Sequence, residues 1–338
     1  MRAWVLPEIG DIDRYELREV PDPQPGPGQI RVALRDSALN HMDLWVARGK
    51  PAPPLPHVPG ADGAGVVDAV GRGVSLFAQG DEVIVNAAFG CGSCAACDSG
   101  EQPLCAGFRI VGEHVWGTHA DAVVIPAGNA VRKPDSVSWH EAASFGMATG
   151  NALRLLRRAR LAEGETVLVV GFGGGVSSAG LSVGLALGAR VWVTARDRAN
   201  GERAVALGAE GWFDSSEPFD EQIRAATGGR GVDVVFENVG PATWDHSIRA
   251  LARGGRLATC GGTSGPEVVL NLPLLFWRHL EIIGASAQSN SDFADATDLV
   301  ANGRVPVQID SVHPFDDYPI ALQRLAEGGQ LGKIVLDH

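Results

Sequence analysis

The sequence predicts an α/β protein in which a parallel, doubly wound sheet follows a β-rich first domain. Three observations predict it. From about residue 160 onward, short apolar runs of strand type alternate with helical stretches, the pattern of a parallel sheet covered by helices. Before that point, strand-like runs are separated by proline-rich turns. The chain then finishes on Gly332-Lys-Ile-Val-Leu336, a strand expected to rejoin the first domain. A length of 338 residues suits two domains, and 45% hydrophobic residues suffice for a proper core. The expected boundaries are 1–126 for the first domain, 127–285 for the second and 286–338 for the return.

Each element has its own warrant. Gln29-Ile-Arg-Val-Ala-Leu-Arg35 alternates apolar and polar residues, and Gly63–Val70 and Asp81–Asn86 also read as strands. Pro21–Pro27 and Pro51–Pro59 mark turns inside a domain, not a flexible linker. Ser138-Trp-His-Glu141 has the form of a capping box and opens a helical stretch through about Arg160. Thr166–Val170 is a buried-type strand, Val176–Leu187 a helix of small residues, and Arg190–Thr194 the next strand. Val232–Phe236 and Arg256–Cys260 are two more, and Leu280–Gly284 closes the sheet. There is no internal repeat and no low-complexity segment.

Composition excludes several classes. A net charge of -12 and a pI near 5.2 argue against nucleic acid as a partner. The longest uncharged stretch, Thr166–Ala189, is centred on Gly171-Phe-Gly-Gly-Gly175, which reads as a turn and not as a membrane span. Met1–Glu8 lacks the apolar run of a signal peptide, so a cytoplasmic location is expected.

Cys91, Cys94, Cys97 and Cys105 fall in one short lobe, about 90–106, at spacings of two, two and seven intervening residues. Four thiolates so placed can close a tetrahedron around one Zn2+. Disulfides or free thiols are the alternatives, and nothing in the chain points to an oxidising compartment. A zinc held by four thiolates has no open position, so this site is structural. Cys260 stands alone and reads as a small buried residue.

Gly171, Gly173, Gly174, Gly175, Val176 and Ser177 lie between a strand and a helix. Glycines there let the backbone turn sharply and approach a pyrophosphate, and the helix N-terminus offers free N–H groups. This predicts a dinucleotide site. At the end of the next strand an acid would bind the ribose 2′-hydroxyl. The chain has Ala195 at that point, flanked by Arg196 and Arg198, with Asp197 between them. Guanidinium groups suit a 2′-phosphate, so NADP(H) is favoured over NAD(H).

Together these features resemble the medium-chain dehydrogenase/reductase superfamily over nearly the whole chain. The carriers are Pro59-Gly-Ala-Asp-Gly-Ala-Gly65-Val-Val, the four-cysteine lobe, the glycine turn, Gly231-Val-Asp-Val-Val-Phe-Glu-Asn-Val-Gly240 and the final Gly-Lys-Ile-Val-Leu. The resemblance implies a GroES-like domain with a Rossmann domain, a small-molecule substrate, and a homodimer or homotetramer. Zinc alcohol dehydrogenases of this family put a catalytic cysteine where this chain has Asn40, and a histidine after Pro-Gly, in Pro-Gly-His-Glu, where this chain has the pair Ala61-Asp62. Their third ligand would fall near Phe145–Ala148, where no ligand is present. The Asn40-x-x-Asp43 form resembles the zinc-free quinone oxidoreductases and enoyl reductases. The resemblance therefore implies a structural zinc without a catalytic one, and hydride delivery to a quinone or an α,β-unsaturated carbonyl.

Candidate roles follow from it. Asn40 is a hydrogen-bond donor to the nicotinamide ribose or the substrate oxygen, Asp43 orients its turn, and His41 or His57 supplies a proton. Tyr15 and Tyr318, the only tyrosines, lie outside the 40–59 stretch, which makes solvent the expected final proton source. Asn238, Val239, Gly240, Gly261 and Lys333 line the cofactor groove. Phe89, Trp116, Phe276 and Trp277 are candidates for the substrate pocket or for the core. Ser177 stands where a third glycine is usual and is expected to loosen the packing slightly. Two alternatives stay open: a zinc alcohol dehydrogenase using ligands such as His41, His57 and Asp62, and a catalytically silent NADPH-binding protein.

Overall fold

The structure, a computed structural model, describes residues 1–338. The chain divides into two compact units. The first comprises Met1–Met147, Gln288–Asn302 and Val307–His338, and the second Ala148–Ala287 with Gly303–Pro306.

The first unit opens with the antiparallel pair β1 (Arg2–Val5) and β2 (Glu16–Glu19). Strand β3 (Gln29–Ala38) is followed by helix α1 (His41–Ala47) and strands β4 (Asp62–Val70) and β5 (Glu82–Val85). The alternation read from the sequence is real in β3, where Ile30, Val32 and Leu34 point into the core. The cysteine lobe follows, with β6 (Ala88–Phe89), α2 (Ala95–Asp98) and β7 (Arg109–Ile110), and then β8 (Ala122–Pro126) and β9 (Ala130–Arg132). Helix α3 (Trp139–Ala142) carries the expected capping box, Ser138 accepting from the Glu141 N–H. The helical stretch beyond it is not continuous. It stops at Ala143 and restarts as α4 (Gly146–Arg158), because Phe145 turns inward to stack on Phe293.

The second unit is a six-stranded sheet, every pairing parallel. Its elements are β10 (Thr166–Val169), α5 (Gly175–Ala186), β11 (Arg190–Ala195), α6 (Arg198–Ala206), β12 (Gly211–Asp214), α7 (Phe219–Ala226), β13 (Val232–Glu237), α8 (Trp244–Ala250), β14 (Leu251–Thr259), α9 (Leu272–Trp277) and β15 (Glu281–Gly284). The strand order β12-β11-β10-β13-β14-β15 reverses direction at β10, the arrangement of a Rossmann domain. Strand β12 was not legible in the sequence, because Gly211-Trp-Phe-Asp214 carries no β-branched residue and is bounded by glycine and aspartate, unlike the apolar four-residue β10.

The chain returns to the first unit with α10 (Asn290–Ala301), β16 (Ile309–Pro314), α11 (Tyr318–Glu327) and β17 (Lys333–Asp337). The final strand rejoins the first sheet as expected, antiparallel to β3. The resulting order is β16-β17-β3-β4-β5-β9, with β8 also on β3. The boundaries differ from those expected. Residues 127–147 belong to the first unit, because β9 pairs with β5 and the Met147 N–H is bound by Asp62. Gly303–Pro306 belongs to the second, where the Arg304 guanidinium donates to the Ala186 carbonyl.

The four cysteine Sγ atoms lie within 4.8 Å of one another. Zn–S bonds of about 2.3 Å in a tetrahedron require S···S separations near 3.8 Å. Cys94 Sγ and Cys97 Sγ are 3.7 Å apart. Backbone N–H groups already point at the sulfurs: Cys91 and Gly107 donate to Cys105 Sγ at 3.3 Å, and Gly92 to Cys97 Sγ at 3.4 Å. Such donors favour the thiolate form that a metal needs, so the lobe fits Zn2+. Elemental analysis is expected to find about one zinc per chain, the number one tetrathiolate site takes. Cys97→Ser should remove that zinc and lower the unfolding temperature. Retention of stoichiometric zinc by the variant would contradict the assignment.

Candidate active site and dinucleotide cradle

In the second unit, β10 runs into the glycine turn. Gly171 has φ +75° and Gly173 φ +132°, backbone that side-chain-bearing residues rarely adopt. Gly174 is the N-cap of α5, and Gly175, Val176 and Ser177 form its first turn, whose N–H groups have no intrahelical partner. Free N–H groups at a helix N-terminus are suited to receive an anionic pyrophosphate. Ser177 does not loosen it. Its buried hydroxyl reaches the carbonyls of Gly171 at 2.9 Å and Gly174 at 3.1 Å, tying the turn to its own helix.

The remaining cofactor candidates of this unit follow the C-terminal ends of β11, β13 and β14, the edge where doubly wound sheets bind ligands. Arg196 and Arg198 follow β11, Asn238, Val239 and Gly240 follow β13, and Gly261 follows β14. A residue the sequence did not single out shapes the second group. Glu237 is fully buried and accepts from the Val239 N–H at 2.6 Å, the Gly240 N–H at 3.0 Å and the Ser247 hydroxyl at 2.6 Å.

The acid in the arginine turn has a different duty. Asp197 caps α6, accepting from the Asn200 N–H at 2.9 Å and the Asn200 amide at 2.8 Å. Arg198 is held by Glu202 at 2.6 Å. Arg196 is exposed and makes no hydrogen bond or ion pair, and Ala195 is buried.

In the first unit, Asn40 precedes α1. Its N–H donates to Asp43 Oδ2 at 2.8 Å, and Asp43 Oδ1 accepts from the Gly60 N–H at 3.1 Å. Asp43 is fully buried and joins the turn before α1 to the Pro59-Gly60 turn. The Asn40 side chain turns to Asp62, with Nδ2 to Asp62 Oδ2 at 3.0 Å. Lys333 lies against both. Its Nζ is 2.6 Å from Asn40 Oδ1 and 2.8 Å from Asp62 Oδ2. The other Asp62 oxygen accepts from the Met147 N–H at 2.7 Å, in the first turn of α4. Gly146 allows this approach, since a Cβ there would sit 2.8 Å from Asp62 Oδ1. Asp62 and Lys333 are 2% and 5% exposed.

The three segments where metal-dependent members of the family keep their catalytic ligands are thus brought together, around an ammonium group. Asn40 and Asp62 spend their polar atoms on each other and on Lys333, and the third segment contributes a backbone N–H. An N–H cannot coordinate a cation, and a second positive charge beside Nζ would be repelled. The residues present do not fit a catalytic zinc. The recruited set His41, His57 and Asp62 does not assemble either: the four cysteines are the one group of three or more His, Cys, Asp or Glu side chains gathered at ligand distance. His57 is fully buried, with Nε2 on the Gly112 carbonyl at 2.9 Å. His41 lies against Trp45, and burial, reinforced by the Lys333 charge, holds its pKa below the usual histidine value.

Phe89 and Trp116 line a cavity of about 240 Å³ in the first unit, with Val58, Val115 and Arg109. Phe276 and Trp277 are not core residues: they are 57% and 69% exposed on α9. Burial pushes the Cys260 thiol up to about 12, which leaves it an inert thiol at neutral pH. No helix is long and apolar enough to cross a membrane.

Comparison with known proteins agrees with this anatomy. Residues 26–135 match the alcohol dehydrogenase GroES-like domain and residues 175–302 the zinc-binding dehydrogenase domain. An acryloyl-coenzyme A reductase of Metallosphaera sedula is 32% identical, aligned over 99% of each chain. A crotonyl-coenzyme A reductase of Streptomyces avermitilis is 28% identical over 95% of this chain and 82% of its own. The crystal structure of an NAD-dependent alcohol dehydrogenase superposes with a TM-score of 0.96 at 39% identity, covering 100% of both chains. A β-rich unit with a four-cysteine lobe, a parallel sheet with a glycine turn, and relatives aligned from end to end make one case: the chain is an oxidoreductase of the medium-chain dehydrogenase/reductase superfamily.

Proposed function

We propose that this protein uses NADPH to reduce the carbon–carbon double bond of an α,β-unsaturated carbonyl compound or the ring of a quinone, with no catalytic metal. The observation that carries the reading is that Asn40, Ala61 and the 145–148 segment, the positions the resemblance gives to catalytic metal ligands, offer no ligand set, the Asn40 amide being tied instead to the Asp62–Lys333 ion pair. Relatives named acryloyl- and crotonyl-coenzyme A reductase favour an enoyl thioester as the acceptor.

Conjugate addition suits such a site. NADPH, held by its pyrophosphate at the glycine turn, would supply the hydride. As the new C–H bond forms at the β-carbon, the π electrons of the double bond move toward the carbonyl, and the negative charge settles on the substrate's own oxygen. A proton from water completes the α-carbon. The protein's task is orientation and a donor to that oxygen. Asn40 and Asp43 serve it by holding the turn. Neutral His41 stands close enough for Lys333 to lower its pKa. NADPH is favoured over NADH because Asp197 is committed to its helix cap while Arg196 is free for a phosphate. The likeness to an alcohol dehydrogenase supports a second reading, NAD-linked alcohol oxidation. That direction gains most from a Lewis acid on the alkoxide, and Asn40, Asp62 and Met147 N–H are not a donor set for one.

The chain is also expected to self-associate. Strand β15 is a sheet edge, and the segment leading to it exposes Val269, Leu272, Phe276 and Trp277. Light scattering should give a multiple of the 35.4 kDa chain mass, and Trp277→Glu should lower it. A monomer in the unmodified protein would contradict this.

Two kinetic outcomes test the functional reading. NADPH oxidation should depend on an enoyl thioester or a quinone and should not respond to a saturated ketone; the reverse preference would overturn the proposal. Arg196→Asp should raise the KM for NADPH about tenfold to a hundredfold, the range for losing a charge-assisted contact, and leave that for NADH little changed. An unaltered coenzyme ratio would remove this role from the arginine turn.

A further inference from the structure

We infer that the first unit carries a second ligand site, separate from the Asn40 site, in which Arg109 receives the carboxylate of a small aromatic acid. The inference does not depend on the reductase reading. The site is the cavity of about 240 Å³ lined by Phe89 and Arg109 of the β6–β7 pair, by Trp116 and by β8. None of Asn40, Asp62, Met147 and Lys333 lines it. Phe89 and Arg109 stand directly opposite each other across the β6–β7 pair, so their side chains share one face of that ribbon. Ala88 and Ile110 take the other face.

The lining side chains are apolar except for Gln29 and Arg109, and Arg109 is the one charged side chain among them. Arg109 is exposed and makes no hydrogen bond or ion pair. The chain has a net charge of -12, yet no acid lines this cavity. Met1 also lines it, with its ammonium held by Asp22 at 2.8 Å. The Gln29 oxygen is taken by the Gly26 N–H at 2.9 Å, which leaves its NH2 uncommitted. Both polar side chains therefore have donors to offer and no acceptor. That suits an anion, and a guanidinium fork matches a carboxylate best.

Size and rigidity narrow the body of the ligand. An apolar cavity of about 150 Å³ holds benzene, so this one admits one or two fused rings. Phe89 and Trp116 supply aromatic surface for them. The walls are set before a ligand arrives. Trp116 Nε1 donates to the Pro56 carbonyl at 3.1 Å, and the Gly117 N–H to the Val58 carbonyl at 2.8 Å. Gly117 packs so closely that a Cβ there would lie 2.2 Å from the Gly60 carbonyl oxygen. A ligand entering such a pocket loses little to ordering it.

The test uses the protein as purified and 2-naphthoate as the probe. Isothermal titration calorimetry should find one site with a Kd below about 1 mM, in keeping with a ligand of that size. Arg109→Gln should raise that Kd about tenfold, the cost of one charge-assisted contact. Neutral 2-naphthylmethanol should bind the unmodified protein about tenfold more weakly than the acid, and should not distinguish it from Arg109→Gln. Val124 is half-buried on β8 and lines the cavity. Val124→Trp should fill it and abolish binding, with zinc content and NADPH affinity unchanged. Trp116→Phe should keep the affinity within about threefold and lose the quenching of tryptophan fluorescence by the probe.

Four results would overturn the inference: no binding up to about 5 mM probe; equal affinity in the unmodified protein, Arg109→Gln and Val124→Trp, which would put the probe elsewhere; competition between the probe and NADPH; or a lower mass of Val124→Trp in light scattering, which would mean that a second copy of the chain covers the cavity.

Discussion

The Asp62 carboxylate is the constraint on which the first unit's site depends. Its backbone lies in β4, its Oδ1 takes the first free N–H of α4, and its Oδ2 takes a side chain from the turn before α1 and another from β17. Three separate segments of chain, spanning residues 40 to 333, converge on its two oxygens. Burying a carboxylate alone would be prohibitive. Here the ammonium of Lys333, the Asn40 amide and the positive end of α4 share its charge. Removing any one partner leaves a buried charge under-compensated, a loss of about 3–5 kcal/mol for such pairs. The geometry of the site and the stability of the unit are therefore set by the same group.

The same carboxylate explains why the cysteine lobe and the Asn40 site have diverged chemically. The lobe presents four sulfurs and three N–H donors onto them, and so draws in a soft cation from outside. The Asn40 site presents one carboxylate and supplies its cation from the chain itself. The position of that ammonium is limited by a flexible four-carbon stem, and that is why the surrounding acceptors matter. Asn40 and Asp62 hold the end of that stem in one place.

The fold was legible because its signals are local. The alternation in Gln29–Arg35, the apolar run Thr166–Val169 and the box Ser138-x-x-Glu141 each declare an element within a few residues. The cysteine lobe was legible for the same reason. The Asn40 site was legible only in part. The resemblance marked Asn40 and Ala61-Asp62 as departures from the ligand pattern and offered Asn40 as a donor to cofactor or substrate, but did not foresee that Asn40, Asp62 and Lys333 bond to one another. The partner that gives them a purpose is 271 residues away from Asp62, and no periodicity or spacing links the two. Lys333 itself was noticed only as a possible cofactor contact. Glu237 was missed because it reads as the polar end of an apolar strand, while its carboxylate is in fact wrapped by the loop that follows it. The break between α3 and α4 was missed because Ala143-Ser-Phe145 contains no helix breaker. It ends on Phe145, whose ring is needed elsewhere.

The arginine turn shows how an ambiguous local sequence is resolved by secondary structure. Ala195-Arg-Asp-Arg198 offers both an acid for a 2′-hydroxyl and two cations for a 2′-phosphate. A helix that begins at Arg198 needs an N-cap, and Asp197 is the only residue there able to accept from the Asn200 N–H. Once capping commits the carboxylate, the acid is withdrawn from any ribose. Arg198 is next neutralised along the helix by Glu202, four residues on, where helical spacing places it. What remains is a single unpaired guanidinium, Arg196, directly after the buried Ala195 that ends β11. Helix capping takes the acid and leaves one cation at the end of the strand, and the proposed preference for NADPH rests on that division.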